Sequence, residues 1–141
     1  MPRQSRSFKI RLSPAGMDLL IDSHCHLIRS TRALLAWGTT LKVAVDHLAS
    51  VPPSIVAERL RSLQKAGLDG DHEHHLGAPK GLNVTATRIA ESVRRTAPGC
   101  AAPTLASIYI VALQQLTRTD HATLRATYER NKAEASEEPA R

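Results

Sequence analysis

A short stretch near the amino terminus alternates strictly between apolar and polar side chains, and a proline ends it. Residues 7–13 read Ser-Phe-Lys-Ile-Arg-Leu-Ser and are followed by Pro14. Successive side chains of a strand point to opposite faces, so its apolar residues share one face. These are Phe8, Ile10 and Leu12. Lys9 and Arg11 project from the other face. The pattern predicts a strand with one apolar and one cationic face.

The chain is basic as a whole, with 19 Lys and Arg against 13 Asp and Glu and a formal net charge of +6. Such a charge favours an anionic partner, nucleic acid before an anionic membrane surface. Arg3 and Arg6 add to the positive charge of residues 1–13, which contain no acid. Aromatic residues make up only 3% of the chain, which argues against a single-strand binder that stacks bases on aromatic rings. We therefore expect double-stranded DNA as the partner.

Apolar residues at helical spacing follow the predicted strand. They predict a first helix over residues 14–28, with Ser13 as its N-cap. A turn at Ser30 and Thr31 is expected to begin a second helix that runs over 31–48. Strand, helix and helix together form a first unit.

The chain then repeats this pattern after a connection. Residues 69–81 are polar and rich in glycine, which predicts an exposed connection. Residues 82–87 alternate as residues 7–13 do, with Asn83, Thr85 and Thr87 outward. Further helical patterns follow up to the carboxyl end. The predicted division is a basic arm (1–6), a single domain (7–133) and a disordered tail (134–141). Within the domain lie a first unit (7–48), a helix and loop connection (49–81), a second unit (82–117) and a C-terminal helix (118–133).

Two strand-helix-helix units, the first with outward cations on its strand, resemble the ribbon-helix-helix family of DNA-binding proteins. The residues that carry the resemblance are 7–14, the helix 14–28, the turn at Ser30–Thr31 and the helix 31–48. The match is to the single-chain, pseudo-dimeric form found in bacterial DNA-transfer systems. It implies a mainly α fold with a short two-stranded antiparallel ribbon, in which residues 7–13 pair with 82–87.

The resemblance also implies a function and a site. The ribbon would lie in the major groove of double-stranded DNA, and the protein would be a transcriptional repressor or an accessory factor in plasmid transfer (conjugation) or maintenance. The implied DNA-binding residues are Ser7, Lys9, Arg11, Ser13, Asn83, Thr85, Thr87, Ser30, Thr31, Arg32, Arg3 and Arg6. Of these, Lys9 and Arg11 would contact guanine or phosphates, and Asn83 would pair with adenine. The free N–H groups at Ser30 and Thr31 would bind a phosphate.

The expected assembly is a monomer with an internal pseudo-dimer or a homodimer. A monomer with one cationic and one neutral strand would prefer a non-palindromic site. Two cysteines form no disulfide framework, and neither a secretory signal nor an apolar run of bilayer length is visible. These observations predict a cytoplasmic protein without a membrane partner.

Two other interpretations of the chain stay open. Residues 40–68 resemble the core of a winged helix-turn-helix regulator, whose recognition helix would expose Ser54, Glu58, Arg59 and Arg61. Asp69-Gly70-Asp71 stands where the wing strand of that arrangement should begin. The third interpretation is a helical interaction module that binds another protein through residues 53–66 or 105–116.

The sequence gives little reason to expect an enzyme, a metal or another cofactor. His24-Cys25-His26 resembles the metal-binding strand of TatD-like hydrolases, but that barrel needs about 250 residues. Helical spacing places His24 in the core and His26 in solvent. His72, His74 and His75 are expected to be solvated linker residues rather than metal ligands.

Overall fold

The structure is a computed structural model that describes residues 7–63, 70, 72–77, 79–96 and 103–137. Within these ranges the chain forms six helices and a two-stranded antiparallel sheet. In chain order the elements are β1 (Ser7–Leu12), α1 (Pro14–Thr31), α2 (Trp37–Leu48), α3 (Pro53–Leu63), β2 (His72–Gly77), α4 (Leu82–Thr96), α5 (Leu105–Thr117) and α6 (His121–Glu137). The expectation of a mainly α fold with a short antiparallel ribbon is confirmed.

The ribbon consists of β1 and β2, which pair along their whole length. Lys9 lies opposite His75, and Arg11 lies opposite Glu73. The core side of β1 is apolar, and Ile10 is only 1% exposed there. The two cations of β1 are exposed on the other side. The two predicted faces are therefore confirmed for residues 9–12, and the side chain of Phe8 lies outside the described ones.

The predicted second strand, residues 82–87, is wrong, because these residues form the first part of α4. The helix buries one stripe, which consists of Leu82, Ala86, Ile89, Ala90 and Val93. Alternation over six residues suits either a strand or a helix, but only a helix extends the apolar spacing to residue 93. That stripe packs against α2, α3 and α5. The tandem strand-helix-helix unit over 82–117 therefore does not form, and the ribbon has no internal pseudo-symmetry.

The predicted exposed connection over residues 69–81 is also wrong in part, because it contains β2. His74 and Leu76 are half-buried on the core side of this strand, whereas Glu73 and His75 are exposed. Histidine is neither clearly polar nor clearly apolar, so the alternation is hard to recognise in the sequence. Pairing with β1 supplies the backbone hydrogen bonds that make the segment extended.

The boundary between α1 and α2 lies further along the chain than predicted. Ser13 caps α1 as expected, and its Oγ accepts a hydrogen bond from the Gly16 N–H at 3.1 Å. The helix continues to Thr31 and ends at Arg32, whose φ of 57° is left-handed. Ser30 therefore lies inside the last turn of α1 and does not begin a second helix. Its hydroxyl bonds back to the carbonyl four residues earlier, which is compatible with a helix interior.

The core is built around α5, which contacts α1, α2, α3 and α4. Its buried residues run almost all round the helix and are Ile108, Tyr109, Ile110, Val111, Ala112, Leu113 and Leu116. Asp120 caps the start of the last helix, because its carboxylate accepts a hydrogen bond from the Thr123 N–H at 2.9 Å. The last helix, α6, extends to Glu137 and so includes part of the tail predicted as disordered. It packs on α1 and α2.

Candidate nucleic-acid interface

The outer face of the ribbon points away from the helices and carries both signs of charge. Lys9, Arg11, Glu73 and His75 are all exposed on it. The face is defined by these four residues and is called the ribbon face below. Side chains directly opposite each other in an antiparallel pair lie close enough to interact. The register therefore pairs one cation with an acid and the other with a histidine.

Glu73 contacts both cations of the ribbon face through one carboxylate oxygen. The Arg11 guanidinium donates a hydrogen bond to Oε2 at 3.0 Å, and Lys9 Nζ lies 3.9 Å from the same oxygen. The hydrogen bond from Arg11, together with the charge of Lys9, holds the pKa of Glu73 below its ordinary value. The carboxylate is thus ionised at neutral pH, and it offsets part of the positive charge predicted for this face.

A helix-turn-helix arrangement lies between the two strands in sequence. Residues 49–52 connect α2 to α3 through a tight turn, in which Val51 N–H donates to the Leu48 carbonyl at 3.0 Å. The two helices pack on a common base, which consists of α4 and α5. This base holds the two helices in a defined relative orientation.

One face of α3 is docked and the other is free. Val56 and Ala57 are buried, and Leu60 and Leu63 pack against the core. The exposed residues of the helix include Ser54, Ile55, Glu58, Arg61 and Ser62. Arg59, which was predicted to be exposed, is half-buried instead. A recognition helix has this division, with an apolar face on the domain and hydrogen-bonding groups on the free face.

A strand follows the second helix of the pair, as a winged arrangement requires. Asp69-Gly70-Asp71 was the feature that argued against this interpretation. Strand β2 begins directly after it, at His72, and pairs with β1. Strand β2 therefore occupies the position in the chain that a wing strand would take, whereas its partner β1 precedes α1.

The predicted site residues of the segment 82–87 lie on α4 and not on the ribbon. Asn83 and Thr87 are exposed, whereas Thr85 is half-buried. The hydroxyl of Tyr109 donates a hydrogen bond to the Asn83 side-chain oxygen. These residues therefore do not form one strand pair with Lys9 and Arg11.

The predicted phosphate contact at Ser30 and Thr31 is wrong. Both residues belong to the carboxyl end of α1, where the helix dipole is negative and free carbonyls, not N–H groups, are found. The Ser30 hydroxyl is buried and donates to the His26 carbonyl at 2.8 Å. The Thr31 hydroxyl donates to the Leu27 carbonyl at 3.0 Å. Arg32 is exposed just beyond the helix.

The four remaining predicted DNA-binding residues lie near the amino terminus. Arg3 and Arg6 lie outside the described residues. Ser13 acts as the helix cap described above, and Ser7 begins β1. Glu73 and His75 are absent from the predicted site, because the polar, glycine-rich pattern of residues 69–81 predicts an exposed connection. The alternation of Glu73, His74, His75 and Leu76 is the one signal that could have revealed them.

His24 is buried as predicted, whereas His26 is not in solvent. The imidazole of His24 stacks on the indole of Trp37, and its Nδ1 lies 2.7 Å from the hydroxyl of Thr40. Burial lowers the pKa of His24. His26 is half-buried, and its Nε2–H donates to the carbonyl of Thr119 at 2.7 Å. Both side chains have structural contacts.

The other histidines form no metal centre in the part of the chain that the structure describes. Among those residues, no three or more His, Cys, Asp or Glu side chains are grouped so that they could hold a metal ion. His72 and His75 are exposed on β2, and His74 is half-buried.

No protein-family model, curated protein or solved structure matches this chain. Over the described residues, no helix has both the length and the apolar character needed to cross a membrane. The helix-turn-helix arrangement and the ribbon face are therefore the structural features that bear on function.

Proposed function

We propose that this protein is a transcriptional regulator that binds double-stranded DNA with a winged helix-turn-helix. In this proposal α3 enters the major groove, and Lys9 and Arg11 of the ribbon face contact phosphates. The observation that carries it is the polar free face of α3. That helix follows a four-residue turn and precedes a strand that pairs into a ribbon.

The side chains on the free face of α3 have the chemistry for base recognition. Arg61 can donate two hydrogen bonds to the O6 and N7 acceptors of guanine, and Glu58 can accept from the amino group of cytosine. Ser54 lies in the first turn, where its hydroxyl can reach a base or a phosphate. A well-placed pair of this kind contributes about 1–3 kcal/mol of discrimination between bases.

The ribbon face supplies affinity that does not depend on sequence. Each cation that neutralises a phosphate releases condensed counterions, so binding weakens as salt is added. The net charge of +6 favours the same partner over the whole chain. The two surfaces therefore have separate roles, α3 for sequence and the ribbon face for the backbone.

A second candidate places the ribbon itself in the major groove, as in the ribbon-helix-helix family. The exposure of Lys9 and Arg11 on a two-stranded antiparallel ribbon favours it. The two candidates differ in the residues that discriminate between bases. In the first, Arg61 carries base discrimination; in the second, Arg11 does.

The test begins with selection of tight-binding duplexes from a random 20-base-pair pool by the wild-type protein. Arg61→Ala is then compared with the matched control Arg118→Ala, which removes the same charge from an exposed position after α5. We expect Arg61→Ala to lose about tenfold in affinity for the selected duplex, within the range for a lost base contact. Arg118→Ala should bind as the wild type does.

Three results would change this proposal. If the wild type enriches no duplex, DNA binding is contradicted, and the helical interaction module becomes the better interpretation. If Arg118→Ala and Arg61→Ala lose the same affinity for the selected duplex, α3 does not recognise the bases. If Arg11→Ala alone abolishes base preference, the ribbon candidate replaces the winged one.

A further inference from the structure

We infer that Glu73 weakens the phosphate contacts of the ribbon face by occupying its cations. The inference rests on the proposed function and adds a residue that controls how strongly the same surface holds phosphates. In the free protein, a DNA phosphate must compete with this carboxylate for Lys9 and Arg11.

The geometry places the carboxylate oxygen where a phosphate oxygen would bind. A single atom, Oε2 of Glu73, is 3.0 Å from Arg11 Nη2 and 3.9 Å from Lys9 Nζ. A phosphate oxygen that bridged the same two groups would meet the carboxylate there. The carboxylate and a phosphate therefore compete for these donors.

All three side chains are accessible to such a competitor. The side chains of Lys9, Arg11 and Glu73 are 56%, 65% and 38% exposed. Ion pairs with this exposure contribute little to folding stability, because water already solvates both partners. The main effect of the acid should therefore be on binding: removing it should leave the fold intact and the cations free.

The effect should fall on phosphate contacts. A phosphate offers only acceptors, so an ionised carboxylate beside it is repelled. Because the ribbon face contacts phosphates in the proposed function, Glu73 should weaken binding to duplexes of any sequence. Glu73 would thus set the strength of the backbone contacts and leave base discrimination to α3.

The direct test uses Glu73→Gln and a random-sequence 20-base-pair duplex. We expect its affinity for this duplex to rise about three- to tenfold at 50 mM salt. The slope of log K against log salt should steepen by about 0.9, the value for one further phosphate contact. Fluorescence anisotropy titrations between 50 and 200 mM salt measure both quantities. A thermal melt of the variant checks that it is folded.

Glu91→Gln is the matched control. Glu91 is also exposed and pairs with an arginine, Arg94 at 2.8 Å, but it lies on α4. The two variants change the net charge equally, so a general electrostatic gain would appear in both. The triple variant Lys9→Gln/Arg11→Gln/Glu73→Gln is compared with the double variant Lys9→Gln/Arg11→Gln. The gain in affinity from Glu73→Gln should disappear in this pair, because both lack the cations that Glu73 occupies.

The outcomes separate this inference from the proposed function. If the wild type binds the duplex and Glu73→Gln binds equally, the role of Glu73 is wrong and DNA binding stands. If Glu91→Gln gains as much as Glu73→Gln, the effect is not local and the inference fails. If neither folded protein binds, the proposed function itself is contradicted.

Discussion

The backbone of Gly38, in the first turn of α2, lies directly against the carbonyl of Gly77 at the end of β2. A Cβ atom on Gly38 would be 1.9 Å from the Gly77 oxygen and 2.9 Å from its carbonyl carbon. Both distances are far below van der Waals contact. This close approach docks the ribbon on the helix that precedes α3, and it links the ribbon face to the helix-turn-helix.

We expect Gly38→Ala to destabilise the protein by about 1–3 kcal/mol, because the added methyl must displace backbone rather than a flexible side chain. Alanine is otherwise the better helix former by about 1 kcal/mol, so without the close contact the substitution would stabilise the protein. A decrease in the free energy of unfolding therefore supports the contact. Urea denaturation measures the free energy of unfolding. Gly77→Ala is the control, because a Cβ there would meet no atom within 4 Å. A Gly38→Ala variant as stable as the wild type would contradict the close approach.

The cations of the ribbon face should govern salt dependence and not base preference. We expect the double variant Lys9→Gln/Arg11→Gln to lose affinity for all duplexes to a similar extent. Its slope of log K against log salt should fall by about one to two, according to how many phosphates the two side chains contact. Anisotropy titrations with a selected and a random duplex measure both. A loss of affinity confined to the selected duplex would show that the ribbon recognises bases.

Acidification should destabilise the folded protein through two histidines. Burial lowers the pKa of His24 and of His47 below the ordinary 6.5; for His47, Arg130 lowers it further and Asp120 raises it. Below pH 6.5 the unfolded chain therefore binds more protons at these positions than the folded one. The free energy of unfolding is then highest above pH 6.5 and falls as the pH drops through that value.

Urea denaturation at pH 7.5 and pH 5.5 measures this change. Other groups also titrate, so the decisive quantity is the difference between the wild type and His47→Gln, which removes one of the two titrating groups. The variant should lose less stability on acidification than the wild type. Equal losses would show that His47 has no part in the pH dependence.

Ser30 should stabilise the junction of α1 with α6. Its hydroxyl lies 2.6 Å from Nδ1 of His121, and its carbonyl accepts from Arg125 Nε at 3.0 Å. Ser30→Ala would remove this contact and the hydrogen bond to the His26 carbonyl. Because His121 is exposed and can bond to water instead, we expect a cost of about 0.5–1.5 kcal/mol, the range for a typical hydrogen bond. The control is Ser50→Ala, an exposed serine whose hydroxyl bonds only locally, to the His47 carbonyl. Thermal denaturation measures the melting temperature of each variant. An equal decrease for both variants would contradict the role of Ser30.

The local sequence pattern predicted those elements whose hydrophobic period or capping residues are clear within a single segment. The alternation of residues 7–13 predicted β1, and Ser13 with Pro14 predicted the start of α1. Residues 105–116 are apolar almost all round a helix, which is the pattern of the central helix α5. Each signal comes from burial on a fixed period, which a single segment displays by itself.

The partner of β1 could not be found in this way. Strand pairing depends on which segment the tertiary fold brings alongside, and residues 72–77 and 82–87 both offered short alternating runs. The continuous stripe from Leu82 to Val93 is buried by packing on α2, α3 and α5, which makes that segment helical. Because residues 82–87 are helical, the histidine-rich segment 72–77 pairs with β1 instead.

The amino-acid sequence alone determined a basic, mainly helical chain with a cationic strand at its start, because charge and hydrophobic period are local properties. Only the tertiary structure decided that Glu73 faces Arg11 and Lys9 and that α3 presents a free polar face. Both depend on contacts between residues far apart in the chain, and no local period encodes them.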